Sequence, residues 1–129
     1  MTDECPFCDF ADPLLGNGLA FACLDKHPVT KGHLLILPRR HVPNWFDATD
    51  DERRAMLALL DEAKRWLDQH YAPDGYNIGI NVGEAAGQTV PHLHMHLIPR
   101  YRGDTPNPRG GVRGVIPARQ SYPSPDSGA

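Results

Sequence analysis

The sequence has little cysteine, no long apolar run and no excess of basic charge. Three cysteines are too few, and odd in number, for a disulfide scaffold. No apolar stretch approaches the ~20 residues of a membrane-spanning helix. The net charge of −3 argues against nucleic acid as the main partner, because that affinity comes largely from lysine and arginine meeting phosphates. Residues 1–5 are acidic and do not resemble a secretory signal, so we expect a cytoplasmic protein.

The composition that remains is that of one globular domain with unusually many histidines. Of the 129 residues, 40% are apolar and 22% are charged, which suits a single folded unit. We expect that domain to span residues 1–119 and residues 120–129 to form a flexible C-terminal tail. Seven histidines are present, and three of them lie within five residues.

The apolar pattern predicts an α+β fold, with a mostly antiparallel sheet of about five strands and one main helix. The clearest strand signals are at 18–24, 33–37, 76–82 and 92–98. A helix is predicted over 49–70, where Thr49 and Glu52 form a capping box. Its apolar stripe, expected to pack on the sheet, consists of Met56, Leu59, Leu60, Ala63, Trp66 and Leu67.

The histidines at 92, 94 and 96 alternate with apolar residues. On a helix they would spread over about 200°, whereas on a strand they would share one face about 6.5–7 Å apart. Such a row is open to three interpretations: a solvated face, a metal site, or nucleophilic imidazole chemistry at phosphorus. Residues 87–89, G-Q-T, favour the last, because they offer backbone, amide and hydroxyl donors to a phosphate.

Residues 86–98, A-G-Q-T-V-P-H-L-H-M-H-L-I, resemble the signature of the histidine-triad (HIT) family. Residues 21–41 resemble the first hairpin of that family, and the resemblance extends over about 5–101. It implies a HIT-like fold, a homodimer, and an enzyme that hydrolyses or transfers a nucleotide at the α-phosphorus of a nucleoside phosphate conjugate. Dinucleoside polyphosphates and nucleoside phosphoramidates, of adenosine above all, are the leading substrate classes.

The resemblance also implies roles for the catalytic residues. His94 would attack the α-phosphorus and form a nucleotidyl-imidazole intermediate that water then hydrolyses. His96 would hydrogen-bond the phosphate or the bridging atom, and Gln88 would hold phosphate oxygens and the leaving group. The pH–rate curve should fall at low pH, where protonation of His94 removes its lone pair.

A second set of residues would bind the substrate. Asp25 would accept hydrogen bonds from the ribose hydroxyls, and Asn81 would face the phosphate beside Gly87 and Thr89. Three apolar residues are candidates for the base pocket, although core packing is the alternative role for each: Phe7, Phe21 and Leu35.

The pair Cys5 and Cys8 forms a C-x₂-C motif, which by itself suits either a redox dithiol or half of a zinc site. Cys23 lies in an apolar strand, where a small buried residue is expected. One bacterial branch of the HIT family pairs this motif with histidines at the positions of His41 and His92. The resemblance thus implies a structural Cys₂His₂ zinc site, and the alternative is two buried thiols.

The C-terminal part of the sequence is basic. Residues 100–119 carry a charge of +4, from five arginines and one aspartate, so the rest of the chain carries −7. These arginines either meet the acidic end of the substrate, in a dimer if need be, or form a solvated or ion-paired loop. The sequence leaves both open for Arg100, Arg102, Arg109, Arg113 and Arg119.

A different class of function also fits the fold. The chain could be a catalytically idle nucleotide-binding or zinc-stabilised interaction module that keeps the pocket without turnover. The complete triad and Gln88 argue against this alternative, because binding alone needs no nucleophilic imidazole.

Overall fold

The structure is a computed structural model that describes residues 12–122. One antiparallel sheet has the order β1-β2-β3-β5-β4. Its strands are β1 (Leu15–Gly16), β2 (Ala20–Leu24), β3 (Leu34–Pro38), β4 (Gly75–Ile80) and β5 (Met95–Arg100), and the main helix is α1 (Asp50–Tyr71). The predicted α+β class is confirmed. In the described residues, no helix combines the length and apolar character that crossing a membrane requires.

Helix α1 begins where its capping box predicts. The Thr49 hydroxyl accepts a hydrogen bond from the Glu52 backbone N–H, and the Glu52 carboxylate accepts one from the Thr49 N–H. The same buried carboxylate accepts two hydrogen bonds of 2.9 Å from the Arg40 guanidinium. Hydrogen bonding from Arg40 lowers the pKa of Glu52 to about 2, despite the opposing effect of burial. The cap therefore also ties the helix to the segment after β3.

One face of the sheet, called the back face here, packs against α1. Leu34 and Ile36 of β3 and Leu97 of β5 are fully or almost fully buried there. The helix contributes Met56, Leu59, Ala63 and Leu67. Trp66 was expected in this core, but it is only partly buried and stacks on His70 at a ring distance of 3.9 Å.

The opposite face, called the front face, carries the polar residues of β4 and β5. Its apolar part consists of Phe21, Cys23, Leu35 and Leu37. The strand register pairs His96 with Leu35 of β3 and with Gly79 of β4. Because side chains of paired residues share a face, His96 lies on the front face between these two positions. Any site around it is therefore separated from α1 by the sheet.

The predicted strand over 92–98 is wrong at its start, because β5 begins at Met95. Residues 90–92 form a bend, and the Leu93 N–H donates to the Val42 carbonyl instead of entering the sheet ladder. His92 is completely buried and hydrogen-bonds the Pro38 carbonyl through Nε2 at 3.1 Å. The three histidines therefore do not form one row on a strand face.

Candidate active site

A cavity of about 480 Å³ lies on the front face, between the loop after β2 and the loop before β5. Both loops bring polar groups to the ends of the strands. There these groups are not used in hydrogen bonds between strands. Of the residues that the sequence predicted for a site, the cavity brings together Asp25, Leu35, Asn81, Gly87, Thr89, His94 and His96. It is also lined by Lys26, His27, Val29, His33 and Val90.

The hydrogen bond of His94 determines which of its nitrogens carries the lone pair. Its Nδ1 lies 2.8 Å from the His92 carbonyl oxygen. A carbonyl oxygen only accepts, so Nδ1 carries the hydrogen and Nε2 carries the lone pair. His94 therefore presents to the cavity an imidazole in the tautomer that a nucleophile at Nε2 requires.

His96 is held in the opposite sense by His33. The Val29 backbone N–H donates to His33 Nδ1 at 3.1 Å, so the His33 hydrogen is on Nε2. That Nε2 lies 3.0 Å from His96 Nδ1, which must accept. The neutral His96 ring thus carries its own hydrogen on Nε2, and it can donate where His94 can attack.

Burial keeps His96 neutral. Desolvation, reinforced by repulsion from His94 and His33, lowers the pKa of His96 to about 4. Burial likewise lowers the pKa of His33, although the nearby Asp25 carboxylate opposes that change. Both rings are therefore neutral at pH 7, as the chain of hydrogen bonds from Val29 to His96 requires.

His33 and His27 were not identified as site residues from the sequence, where they flank a turn. His33 immediately precedes β3 and alternates with Leu35, so it shares the front face with Leu35. That alternation could have placed His33 on the same face as Leu35 from the sequence alone. His33 contacts His96 only because β3 pairs with β5, which places Leu35 opposite His96.

The remaining polar groups occupy different parts of the wall. Asp25 follows β2; its Oδ1 accepts from the His27 N–H, and its Oδ2 is 3.4 Å from His33 Nε2. Asn81 immediately follows β4. It lines the cavity, as expected from its place on the polar face of the predicted strand. Gly87 has a φ of +94°, a conformation that glycine adopts without the strain of other residues.

Some predicted residues are placed elsewhere. Gln88 does not line the cavity: its side chain accepts from the Gly83 N–H and donates to the carbonyls of Pro43 and Val90. Phe21 belongs to the apolar cluster of the front face and is not part of the cavity wall. Cys5, Phe7 and Cys8 lie outside the described residues.

Among residues 12–122, two groups of side chains have donors suitable for a metal. Asp25, His33 and His96 place three ligand atoms within 4.8 Å of one another. The hydrogen bond from Val29, however, puts the His33 hydrogen on Nε2, the atom that would bind the ion. A hydrogen-bonded relay therefore fits this cluster better than a cation does.

The second group is His41 and His92, whose rings meet edge to face at a centroid distance of 4.9 Å. Because Nε2 of His92 donates to the Pro38 carbonyl, Nδ1 carries the lone pair. Histidines that bind a metal usually donate their second ring hydrogen in this way. The orientation of His92 is therefore compatible with the predicted Cys₂His₂ site.

The arginines of the C-terminal segment have local partners. Arg109 donates to the Tyr122 carbonyl, and Arg113 donates to the carbonyls of Arg119 and Gln120. Both guanidinium groups also lie over the Tyr122 ring, at 4.6 and 5.4 Å. Neither lines the cavity, so their contacts within this chain favour an ion-paired or solvated loop over substrate binding.

We expect the fold to lose stability as the pH falls from about 7 toward 4. His33 and His96 have lowered pKa values in the folded state, so the unfolded chain binds more protons in this range. The free energy of unfolding should therefore decrease with decreasing pH, as urea midpoints would measure. His96→Gln should flatten this dependence, and His70→Gln, on the exposed end of α1, should not. If the free energy of unfolding of His96→Gln depended on pH as strongly as that of the wild type, His96 would not be a source of the dependence.

Comparison with known proteins supports the resemblance seen in the sequence. The family profile described as HIT domain matches residues 11–103. The chain is 38% identical over 87 residues to AP-4-A phosphorylase of Mycobacterium tuberculosis, covering 67% of this chain and 45% of that protein. It is 36% identical over 86 residues to bis(5'-nucleosyl)-tetraphosphatase [asymmetrical] of Schizosaccharomyces pombe, covering 67% and 47%. The chain thus spans about half the length of these curated relatives.

Solved structures agree with the sequence comparison. A HIT family protein from Bacillus anthracis superposes with a TM-score of 0.74 at 33% identity, covering 81% of this chain and 78% of that one. A zinc-bound histidine triad family protein from Mycobacterium smegmatis superposes with a TM-score of 0.67 at 28% identity, covering 89% and 76%. The profile match, the relatives and the shared fold together show that this chain belongs to the histidine-triad (HIT) family.

Proposed function

We propose that the protein hydrolyses or transfers a nucleotide at the α-phosphorus of a nucleoside phosphate conjugate, through a nucleotidyl-histidine intermediate. The observation that carries this proposal is the opposite protonation of two neighbouring imidazoles. His94 carries its lone pair on Nε2, whereas His96 carries a hydrogen there, and their ring centroids are 5.1 Å apart. A nucleophile and a hydrogen-bond donor in one cavity are what displacement at phosphorus needs.

In the first step, the Nε2 lone pair of His94 forms a bond to the α-phosphorus. The bond from phosphorus to the leaving group breaks, and its electron pair leaves with that group. His96 donates its Nε2 hydrogen bond to the atom on which negative charge develops. The His94 ring becomes cationic as Nε2 is bonded to phosphorus, and the His92 carbonyl stabilises that charge through Nδ1–H.

In the second step, water attacks the phosphorus and the phosphorus–nitrogen bond breaks. The electron pair returns to His94 Nε2, and the water releases one proton as the nucleoside monophosphate forms. Asn81 and Thr89 would hold the phosphate oxygens on either side of the nucleophile. Gly87 would contribute its backbone to the same end of the cavity.

The nucleoside would bind at the other end of the cavity. Asp25 is the acceptor for the ribose hydroxyls, and Leu35 provides an apolar floor for the base, with Phe21 behind it. Phe7 stays a proposed base contact from the sequence. Gln88, which the sequence predicted as a catalytic residue, is proposed here as a positioning residue, because its three hydrogen bonds hold the loop that carries Gly87 and Thr89.

The relatives named above act on dinucleoside polyphosphates according to their names, which supports a nucleotide substrate for this chain. The leading leaving groups are a polyphosphate-linked nucleoside and an amine. We expect brief incubation with a panel of such adenylated compounds to release AMP and to leave an adenylyl adduct on His94, detected by mass spectrometry. Nucleotide binding without either product would instead support the idle binding module.

We further propose a structural zinc ion bound by Cys5, Cys8, His41 and His92. It would supply four bonds that hold the N-terminal segment beside the bend before β5, and no step of the reaction would pass through it. The zinc-bound histidine triad relative supports this proposal, as does the orientation of His92.

The double variant Cys5→Ser, Cys8→Ser should lose about one equivalent of zinc per chain. Its thermal midpoint should fall, because metal-binding energy contributes to folding. Cys23→Ala is the matched control, since Cys23 is a buried thiol of β2 that does not belong to the proposed site. Zinc content by elemental analysis and thermal unfolding measure the two effects. Unchanged zinc content in the double variant would refute the ligand set.

A cytoplasmic homodimer remains a proposal as well. Strand β4 ends the sheet on one side, and its Ile78 is 48% exposed, although it lies on the apolar face of the strand. A second copy of the chain covering this edge would bury that side chain. The free, buried thiol of Cys23 suits a reducing compartment.

A further inference from the structure

A second cavity of about 460 Å³ lies toward the other end of β4 and β5 from the active-site cavity and takes no part in the mechanism above. It is formed where the segment after β5 folds back against β4. Its walls include Asn77 of β4, Arg100 of β5, and Thr105, Pro106 and Pro108 of the returning segment. The segment that contains Arg109 and Arg113 thus forms one wall of the second cavity.

The two cavities lie on the same face of the sheet. Along β4 and its continuation, Asn77, Gly79 and Asn81 point to the front face; Asn77 lines the second cavity and Asn81 lines the first. Along β5, His96 lines the first cavity and Arg100 the second. His96 and Arg100 are four positions apart on the strand, which is about 13 Å.

Gly79 stands between the two cavities and directly opposite His96 in the strand pairing. A glycine inside a strand costs stability, and it often marks a place where a ligand approaches closely. The backbone at Gly79 does not need glycine, because its φ is not positive and a Cβ there would meet no atom within 4 Å. The space above Gly79 on the front face is therefore open.

The second cavity is chemically suited to a nucleoside rather than to a bare phosphate chain. Arg100 is neutralised by two hydrogen bonds of 2.7 and 2.8 Å from its guanidinium to Asp104, and it donates a third to Asn77. Proline rings provide flat apolar surface, and the paired charges offer donors and acceptors without a net positive field. These are features of pockets that bind uncharged, hydrogen-bonding ring systems.

The cavity is also rigidly built. A Cβ at Gly110 would collide with the Gln120 carbonyl, so glycine is required for the tail to close there. The Tyr122 ring and carbonyl are held by Arg109, as described above. A preorganised wall can bind a ligand without the entropic cost of ordering a loop.

We propose that the second cavity binds the distal nucleoside of a dinucleoside polyphosphate, whose phosphate chain crosses the sheet over Gly79. The inference rests on the proposed function, because it assumes that the proximal nucleotide sits at Asp25 and His94. The C-terminal segment then acts as a specificity element that selects a leaving group with a nucleoside at its end.

The test compares two ligands that differ only in the distal nucleoside. In the inactive His94→Ala form, diadenosine tetraphosphate should bind about tenfold more tightly than adenosine 5'-tetraphosphate. Thr105→Trp, which fills the second cavity, should abolish this preference and leave the affinity for adenosine 5'-tetraphosphate unchanged. If both ligands bind equally well before that substitution, or if the preference survives it, the inference is wrong.

A second variant tests the passage over the sheet. Gly79→Val should weaken both tetraphosphates and spare AMP, whereas Gly18→Val, at a turn glycine where a Cβ also meets no atom within 4 Å, should change none of them. A change in oligomeric state of Gly79→Val by light scattering would instead assign Gly79 to a subunit contact.

If the wild type shows no turnover while the nucleoside preference persists, the proposed chemistry fails and this inference stands. If the wild type shows turnover but no preference for the distal nucleoside, the inference fails and the proposed chemistry stands.

Discussion

Replacing His94 with alanine should lower kcat/KM for adenylated substrates by about four orders of magnitude or more, because the variant lacks the nucleophile. The hydrogen bond from Nδ1 to the His92 carbonyl holds the lone pair at Nε2, whereas His33 and His96 carry theirs on Nδ1. Product release in a quenched-flow assay and adduct mass would measure the loss. The adenylyl adduct should disappear together with turnover.

The matched control for this variant is His70→Ala. His70 stacks on Trp66 at the end of α1, on the other side of the sheet, and it does not line the cavity. It should retain wild-type kinetics. Undiminished activity of His94→Ala, or an adduct that persists on another residue, would refute the nucleotidyl-histidine mechanism.

Replacing His33 with leucine should lower kcat by about a hundredfold while changing KM much less. Leucine can neither accept from the Val29 N–H nor donate to His96 Nδ1, so the hydrogen of His96 is no longer held on Nε2. His96 would then spend part of its time in the tautomer that cannot donate to the leaving group. Separate measurement of kcat and KM distinguishes this positioning role from a loss of substrate binding.

A conservative variant makes the His33 prediction specific. His33→Gln offers an amide oxygen to Val29 and an amide N–H to His96, so it should recover much of the lost kcat. His33→Leu should also raise the pKa of His96, measured by NMR titration, because repulsion from His33 contributes to lowering it. His27→Leu, in the same wall, should leave the pKa of His96 in place. Equal losses in the leucine and glutamine variants would mean that His33 is needed only for packing.

The fold class and the helix could be predicted from the sequence because their signals are local. Thr49 and Glu52 cap a helix through contacts three residues apart, and the apolar stripe needs only the helical period. The HIT signature likewise lies in one short segment, and the family match confirms it. Seven of the predicted site residues line one cavity because the segments that carry the resemblance, 21–41 and 86–98, include both loops that form it.

Other features depended on contacts between distant segments. His92 was expected beside His94 and His96, but the Leu93 N–H is taken by Val42, so the chain turns His92 into the interior. Gln88 faces Pro43, which is 45 residues away in sequence. Arg109 and Arg113 are held by residues 119–122, and both guanidinium groups lie over the Tyr122 ring, a contact that composition does not reveal.

The sequence by itself determined the main helix, four of the five strands to within about three residues, and the chemical character of the site. Only the tertiary structure decided the register of β3 against β5, the protonation of His96 through His33, and the opening at Gly79 between two cavities. The physical reason is that alternation along a strand specifies a face but not a partner. A hydrogen bond between side chains 63 positions apart, such as that from His33 to His96, exists only after the sheet has formed.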